Sequence, residues 1–243
     1  MRKEDPIAIL KNKIMHGDEC LELDKKKCKN FTFLNCYSYY IYRKNYKHYT
    51  SFYGIYCDGF LLKNLVKLIG IETKRKSFDM TSLAPEVLKN AEKNNFSVAL
   101  IGSKDEYLHL AVEKLKEKFP KLNIIESRNG FFNDENNKKI YIDELVKLSP
   151  DIVIVGMGTP LQDLFLTQLK AQGWTGIGYT CGGFIHQTAT KGTAYYPKLI
   201  DRYNLRWLYR MYDEPKLIKR YSFYYPLSIL LFVFDAIKYK FNR

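Results

Sequence analysis

Residues Ser149–Phe165 read "SPDIVIVGMGTPLQDLF". Ile152–Gly156 is a continuous apolar run of strand length, as expected of a strand covered on both faces. It ends at Gly156 and Gly158, and a helical pattern follows. Thr159 suits an N-cap and Pro160 the first helical position, where its missing N–H costs nothing. Gln162 completes a Thr-x-x-Gln capping box. This stretch is thus expected to lay a helix N-terminus at the end of a buried strand, where exposed N–H groups and the helix dipole favour an anion. The same residues also serve a purely local capping role, and local physics weights the two readings about equally.

Working outward, the same unit recurs. "FSVALIG" (Phe96–Gly102) reads as a strand. The helix after it carries Ser103 and Glu106 at capping-box spacing, then Leu108, Ala111, Val112, Leu115 and Phe119 at helical period, and stops at Pro120. "LNIIES" is a strand, "KKIYIDELVKLSP" a helix and "WTGIGYTCGG" a strand. In the first half, "FTFLNCYSYYIY" reads as a strand entering a helix. Tyr53–Cys57 reads as a short buried strand, Asp58-Gly59 as a turn and Phe60–Ile69 as a helix, while residues 1–30 carry weak signals. Strands alternating with helices, without hairpin signals, specify βαβ units: an α/β fold with a doubly wound, mostly parallel, Rossmann-like sheet. Ligands of such sheets sit at the carboxyl ends of the strands. The glycines that follow strands are therefore candidate ligand contacts: Gly102, Gly130, Gly156, Gly158, Gly182 and Gly183.

Two further stretches bear on chemistry. Asp58, between two apolar runs at a strand's carboxyl end, is either a turn residue or a general base. In "TCGGFIHQTATKG", Gly182 and Gly183 permit close approach of a ligand. His186 and Lys191 are candidate contacts whose ordinary readings are structural and solvated.

Composition limits the partners. The 243 residues are 46% apolar, with 39 Lys plus Arg against 26 Asp plus Glu, a formal charge of +13. That excess suits phosphorylated substrates, anionic membranes or nucleic acid. A non-catalytic nucleic-acid-binding module is the alternative that the charge and the 20 Tyr support. Against it, the basic residues are spread along the chain and no RRM, KH or helix-turn-helix signature is present. A dehydrogenase is excluded by the missing Gly-x-Gly-x-x-Gly, and no Walker loop is present. Cys20, Cys28, Cys36, Cys57 and Cys181 form no C-x-x-C pair, so reduced thiols in a cytoplasmic protein are expected rather than zinc or disulfides. The N-terminus does not read as a secretion signal. From Arg206 onward the chain holds eight Lys or Arg against three acids, with Trp207, many Tyr and an apolar stretch at Leu227–Phe234. That stretch is far shorter than the roughly 20 residues of a membrane span, and the mixture is that of an interfacial segment. Residues 1–200 are expected to form the α/β core, and 201–243 a helical, membrane-associating appendage.

Taken together, "NCYSYYIY", "CDGFLL", "LIGSKDEYLHLAVEKLKEKFPKLNIIESRNGFF", "SPDIVIVGMGTPLQDLF", "GIGYTCGGFIHQTAT" and "LRWLYRMYDEPKLIKRY" resemble the WecG/TagA/CpsF family of bacterial glycosyltransferases (glycosyltransferase family 26). The resemblance runs from about Phe31 to Tyr221. It implies an inverting transfer from a UDP-sugar to an undecaprenyl-diphosphate-linked saccharide, in capsule, O-antigen, exopolysaccharide or teichoic acid biosynthesis. It also implies no metal or other cofactor, and a peripheral position on the cytoplasmic face of the membrane. Self-association into a homo-oligomer is left open. By resemblance Asp58 is the base. Asn35, Gly59, Gly102, Gly156, Gly158, Thr159, Pro160, Gln162, Gly182, Gly183 and His186 fall to substrate binding, and Arg210 and Arg220 to the diphosphate. Asp163 stands where the family has Glu. Ile185 replaces an Asp, which raises the question whether His186 substitutes for it; "AYYP" replaces Arg-Ala-Pro, Leu217 an Arg, and Phe33 a Thr, with Thr32 adjacent. These departures leave the donor open between a hexose and an N-acetylhexosamine.

Overall fold

The computed structural model describes residues 5–17, 27–192, 200 and 205–241. Six parallel strands form one sheet in the order β2-β1-β6-β5-β3-β4: β1 is Lys29–Leu34, β2 Gly54–Cys57, β3 Val98–Gly102, β4 Ile124–Arg128, β5 Ile152–Gly156 and β6 Ile177–Thr180. Every residue of β1, β2, β3 and β6 is buried, which is why these runs lack polar alternation. β4, at one edge, is mostly half-exposed. The opposite edge, β2, is covered: Met15 N donates to Ile55 O, and Arg75 bridges to Cys57.

Helices cover both faces. On one face lie α1 (Pro6–Lys13), α2 (Cys36–Asn45), α6 (Glu135–Leu148) and α7 (Leu161–Ala171), with Tyr39, Tyr42, Phe165 and Leu169 in the core. On the other lie α4 (Ala84–Lys93), α5 (Asp105–Lys118) and α8 (Phe184–Lys191), with Val87, Leu108, Leu115 and Phe184. The doubly wound parallel fold is therefore as the sequence predicts. β1 and β6 are neighbours, yet α2 and α8, which follow them, go to opposite faces. That divergence opens a crevice at their carboxyl ends.

Several local expectations are corrected. The first thirty residues hold α1, capped by Asp5, and the start of β1. α4 and α8 carry no counterpart in the sequence reading. Ser103 does not cap α5: Gly102 (φ 138°) and Ser103 (φ 62°) turn the chain at the end of β3, and the helix begins only at Asp105. Asp105 and Glu106 then lie in its first turn, where the dipole favours them. Thr159 likewise does not cap α7. Pro160 takes the cap position, the Thr159–Pro160 peptide is cis, and the helix starts at Leu161. The Gln162 carboxamide bridges two loops instead, its Oε1 accepting from Gly182 N at 3.1 Å and its Nε2 donating to Thr159 Oγ1 at 3.4 Å.

The C-terminal segment comprises α9 (Arg206–Asp213), a 3-10 turn at Pro215–Leu217, a π-helical turn at Arg220–Tyr224, and α10 (Tyr225–Phe241). α10 packs on the core. Phe232 and Ala236 are buried in the main core, and Asp235, 7% exposed, accepts from Arg43 Nε at 2.6 Å, Arg43 Nη2 at 3.0 Å and Tyr39 OH at 2.9 Å. Ser228 also donates to the Cys36 carbonyl. No described helix is long and apolar enough to cross a membrane.

Candidate active site

A cavity of about 770 Å³ opens at the carboxyl ends of β1, β2 and β6 and is closed from above by the C-terminal segment. Its sheet wall is built from short connections. β1 ends at Leu34, and Asn35 caps α2: its Oδ1 accepts from Ser38 N at 3.1 Å while Ser38 Oγ accepts from Asn35 N at 2.7 Å. β2 ends at Cys57. Asp58 N donates to Leu34 O at 2.7 Å, which fixes the backbone of Asp58 beside β1. Gly59 follows at φ 113°, a conformation open to glycine, and lets α3 (Phe60–Leu65) start at once. Asp58 and Gly59 therefore sit in the cavity wall beside Asn35.

Gly158 and Gly182 also line the cavity, both at positive φ with open space where a side chain would stand. A Cβ on Gly183 would lie 3.5 Å from Arg210 Nη2, so this guanidinium lies over the end of β6. Arg210 pairs with Glu214 at 3.3 Å, both side chains largely buried. Arg220 stacks on the Tyr37 ring at 4.2 Å and donates to Asn35 Oδ1 at 3.3 Å, and its Nε is buried with no hydrogen-bond partner. The planar guanidinium fork is suited to an anion with several oxygens, such as a diphosphate.

Of the residues singled out from sequence, the cavity wall gathers Asn35, Asp58, Gly59, Gly158, Thr159, Gln162, Gly182, Gly183, Arg210 and Arg220. Gly102, Gly130, Gly156, Pro160, His186 and Lys191 are outside it. Gly102 and Gly156 are small for packing reasons: a Cβ on the first would come within 2.4 Å of Gly156 O, and one on the second within 2.9 Å of Cys181 Sγ. A Cβ on Gly130 would stand 3.0 Å from Gly102 Cα. His186 packs edge-on against Tyr107 at 4.4 Å and does not line the cavity. Lys191 is exposed at the end of α8.

Sequence reading missed Arg75, Ser77 and Asp79, which line the cavity beside Asp58. Ser77 donates to Asp79 Oδ2 at 2.6 Å. No pattern in "KRKSFDM" announces them; the Arg75–Cys57 bridge along the β2 edge brings them in. Cys36, Cys57 and Cys181 adjoin the site, but burial holds their thiols protonated, the first two pushed up to about 12. They are not nucleophiles. Cys28, Cys36, Cys57 and Cys181 are free thiols, and Cys20 lies outside the described residues. Among the described residues, no three His, Cys, Asp or Glu side chains converge as metal ligands would.

A parallel α/β sheet with a carboxylate, glycine-lined backbone and two guanidiniums around one crevice defines a class: enzymes that act on a phosphorylated ligand at the carboxyl end of the sheet. Comparison with known proteins narrows that class. The chain belongs to the WecG/TagA/CpsF family of glycosyl transferases, whose model matches residues 16–243. It is 38% identical over 213 residues to the UDP-Gal:alpha-D-GlcNAc-diphosphoundecaprenol beta-1,4-galactosyltransferase of Shigella boydii, covering 87% of this chain and 89% of that protein. The protein is accordingly a glycosyltransferase, and the nucleic-acid alternative finds no support.

Proposed function

We propose that this glycosyltransferase moves a hexose, with galactose the first candidate, from a UDP-sugar to an undecaprenyl-diphosphate-linked saccharide, inverting the anomeric carbon. The donor and acceptor classes are those in the name of the Shigella boydii relative. The observation that carries the reading is that Asp58, Arg210 and Arg220 line one cavity.

Asp58 accepts the proton of the acceptor hydroxyl as that oxygen attacks the anomeric carbon. The glycosidic C–O bond to the diphosphate breaks on the opposite side, and the leaving UDP gains negative charge. Arg210 and Arg220 meet that charge with donors already in place. The bidentate fork of arginine matches diphosphate oxygens. Glu214 holds Arg210 in the free enzyme and is displaced or shared when the anion arrives. Leu61, Leu217, Pro226 and Ile229 form an apolar part of the wall and receive the start of the lipid chain. Leu230, Phe234, Ile237 and Phe241, exposed on α10 with Lys238 and Lys240 nearby, rest on the membrane surface.

Asp58→Asn tests the base. Transfer of galactose from UDP-galactose to a GlcNAc-diphosphate lipid should fall by about a hundredfold or more, the lower end of general-base contributions. UDP binding should stay close to wild type. Turnover within a few fold of wild type would remove Asp58 from this role.

A further inference from the structure

A buried chain of polar groups runs from the cavity wall into the core and is unused by this mechanism. Thr180, the last residue of β6, lies in the cavity wall, and its Oγ1 donates to Thr32 Oγ1 at 3.0 Å. Thr32 Oγ1 donates to Asp163 Oδ1 at 2.7 Å. All three residues are essentially fully buried, at 1%, 0% and 1% exposure. Three elements contribute them: β6, β1 and α7. The register Phe31↔Tyr179 leaves Thr32 beside Thr180 on the same face of the sheet, the face that α7 covers. Asp163 Oδ2 and the Tyr49 hydroxyl are also buried without a well-formed hydrogen bond, so Thr32 is the main partner of the carboxylate.

A packing role requires none of this. Valine or leucine fills such positions without the desolvation cost of a carboxylate. What the chain supplies is direction. A carboxylate only accepts, so the Thr32 proton is committed to Asp163. The Thr32 oxygen then takes the Thr180 proton, and the Thr180 oxygen is left with lone pairs alone.

We infer that Asp163 is a positioning residue that acts through Thr32 to present Thr180 as a hydrogen-bond acceptor in the cavity wall, for a hydroxyl or imide N–H of the nucleotide-sugar donor. The inference rests on the reading of the cavity as a nucleotide-sugar site. It also makes donor binding sensitive to pH. The groups that bear on Asp163 are the hydroxyls of Thr32 on β1, Tyr49 on the 3-10 turn Tyr46–Ser51, and Thr159 on the loop before α7, none of them charged. Burial keeps the Tyr49 phenol protonated and pushes Asp163 up to about 6 despite those hydroxyls. Below that pH the carboxyl is itself a donor, and the chain loses its single direction.

Calorimetric titration with UDP and with UDP-galactose tests this. Thr180→Val should weaken UDP-galactose binding by about threefold to tenfold, the worth of one hydrogen bond, while Thr180→Ser restores it. An equal loss for UDP assigns the acceptor to the uridine part, its uracil imide or a ribose hydroxyl; a loss confined to UDP-galactose assigns it to a hydroxyl of the transferred sugar. Wild-type affinity for UDP-galactose, whose diphosphate does not titrate in this range, should drop between pH 7 and pH 5. Asp163→Asn should flatten that profile. Thr180→Val within twofold of wild type, or an unchanged pH profile in Asp163→Asn, would overturn the inference while the donor site stands. No binding of either nucleotide by wild type would take down the donor site and the inference together.

Discussion

The two walls of the cavity reach the same space by different physics. The sheet wall is backbone-built: Asp58, Asn35 and Gly182 follow the ends of β2, β1 and β6, whose residues are all buried, with β1 and β6 paired on both sides and β2 on one. Moving any of them means moving a strand. The C-terminal wall is side-chain-built, with Trp207 and Arg210 carried on the short helix α9 and Arg220 on the π-helical turn after it. Among the described residues, α10 is the part of the segment that reaches the buried core, through Phe232, Ala236, Ser228 and the Arg43–Asp235 pair. A π-helical turn at Arg220–Tyr224 joins anchor to cover, and such turns recur at functional sites. The rigid wall suits groups that must meet the reacting atoms; the lighter wall suits groups that must let a bulky lipid-linked substrate in and then contact it.

The contrast breaks most sharply at the anchor. Asp235→Ala leaves Arg43 and Tyr39 facing an empty carboxylate position. Breaking a buried pair costs about 3–5 kcal/mol, and with the Arg43 side chain 31% exposed a value near 3 kcal/mol is expected in denaturant unfolding. A loss under about 1 kcal/mol would mean α10 is as loosely held as the turns before it. Behind the sheet wall, at Asp163 on α7, the corresponding measurement is pH-dependent. Asp163 has a folded-state value raised to about 6 from 3.8, so the native state binds its proton more tightly than the unfolded chain. Its contribution is fully present below about pH 4 and is lost as pH rises through 6, amounting to roughly 2–3 kcal/mol. Asp163→Asn should remove that fall, so the stability gap between variant and wild type should shift in favour of the variant from pH 4 to pH 7.

How much of this was legible in sequence follows the same division. The parallel sheet could be read because buried strands are continuous apolar runs and glycines mark their ends. α4 was equally readable, with Ala84, Val87, Leu88 and Ala91 at helical spacing, and went unread because "SLAPEV" looks like a turn. The Thr159 and Ser103 caps failed for one reason: motif spacing cannot reveal that the chain turns sharply at the strand end before the helix begins. In the site, Asp58 and the glycines could be placed because strand ends are one-dimensional facts. Arg75 and Asp79 could not, because a bridge to β2 brings them in. The boundary expected near residue 200 ran through composition alone. It missed that Asp235, an apparent interruption of an apolar stretch, ties that stretch to Arg43.

Arg220→Lys sharpens the comparison at the cover. Lysine keeps the charge but loses the fork and the stacking on Tyr37. Transfer should fall by about tenfold, near 1.4 kcal/mol, with unfolding stability unchanged within about 0.5 kcal/mol. Loss of stability comparable to that of Asp235→Ala would show the cover to be structural instead.

The smallest effect is expected at the outer face of α10, and it separates anchoring from membrane contact. Phe232 and Ala236 face inward, whereas Leu230, Phe234 and Ile237 are 69%, 58% and 50% exposed. Removing the whole helix confounds the two roles, since the core loses Phe232 with it. The combined variant Leu230→Ser, Phe234→Ser and Ile237→Ser touches only the exposed side, where substitutions move stability by about 0.5 kcal/mol or less each. In flotation with vesicles containing anionic lipid, the wild type should bind and the variant should bind several-fold less, because shallow, partial burial in the interface is worth only about 0.3–0.4 kcal/mol for each of the three side chains. Transfer to a short-chain, water-soluble acceptor should be retained, since this face is remote from the residues that line the cavity apart from Pro226 and Ile229. Undiminished vesicle binding would move the membrane contact off α10 and onto the cover itself, where Trp207, Leu208 and Phe223 are the exposed apolar residues. The lighter wall would then meet substrate and bilayer with the same turns.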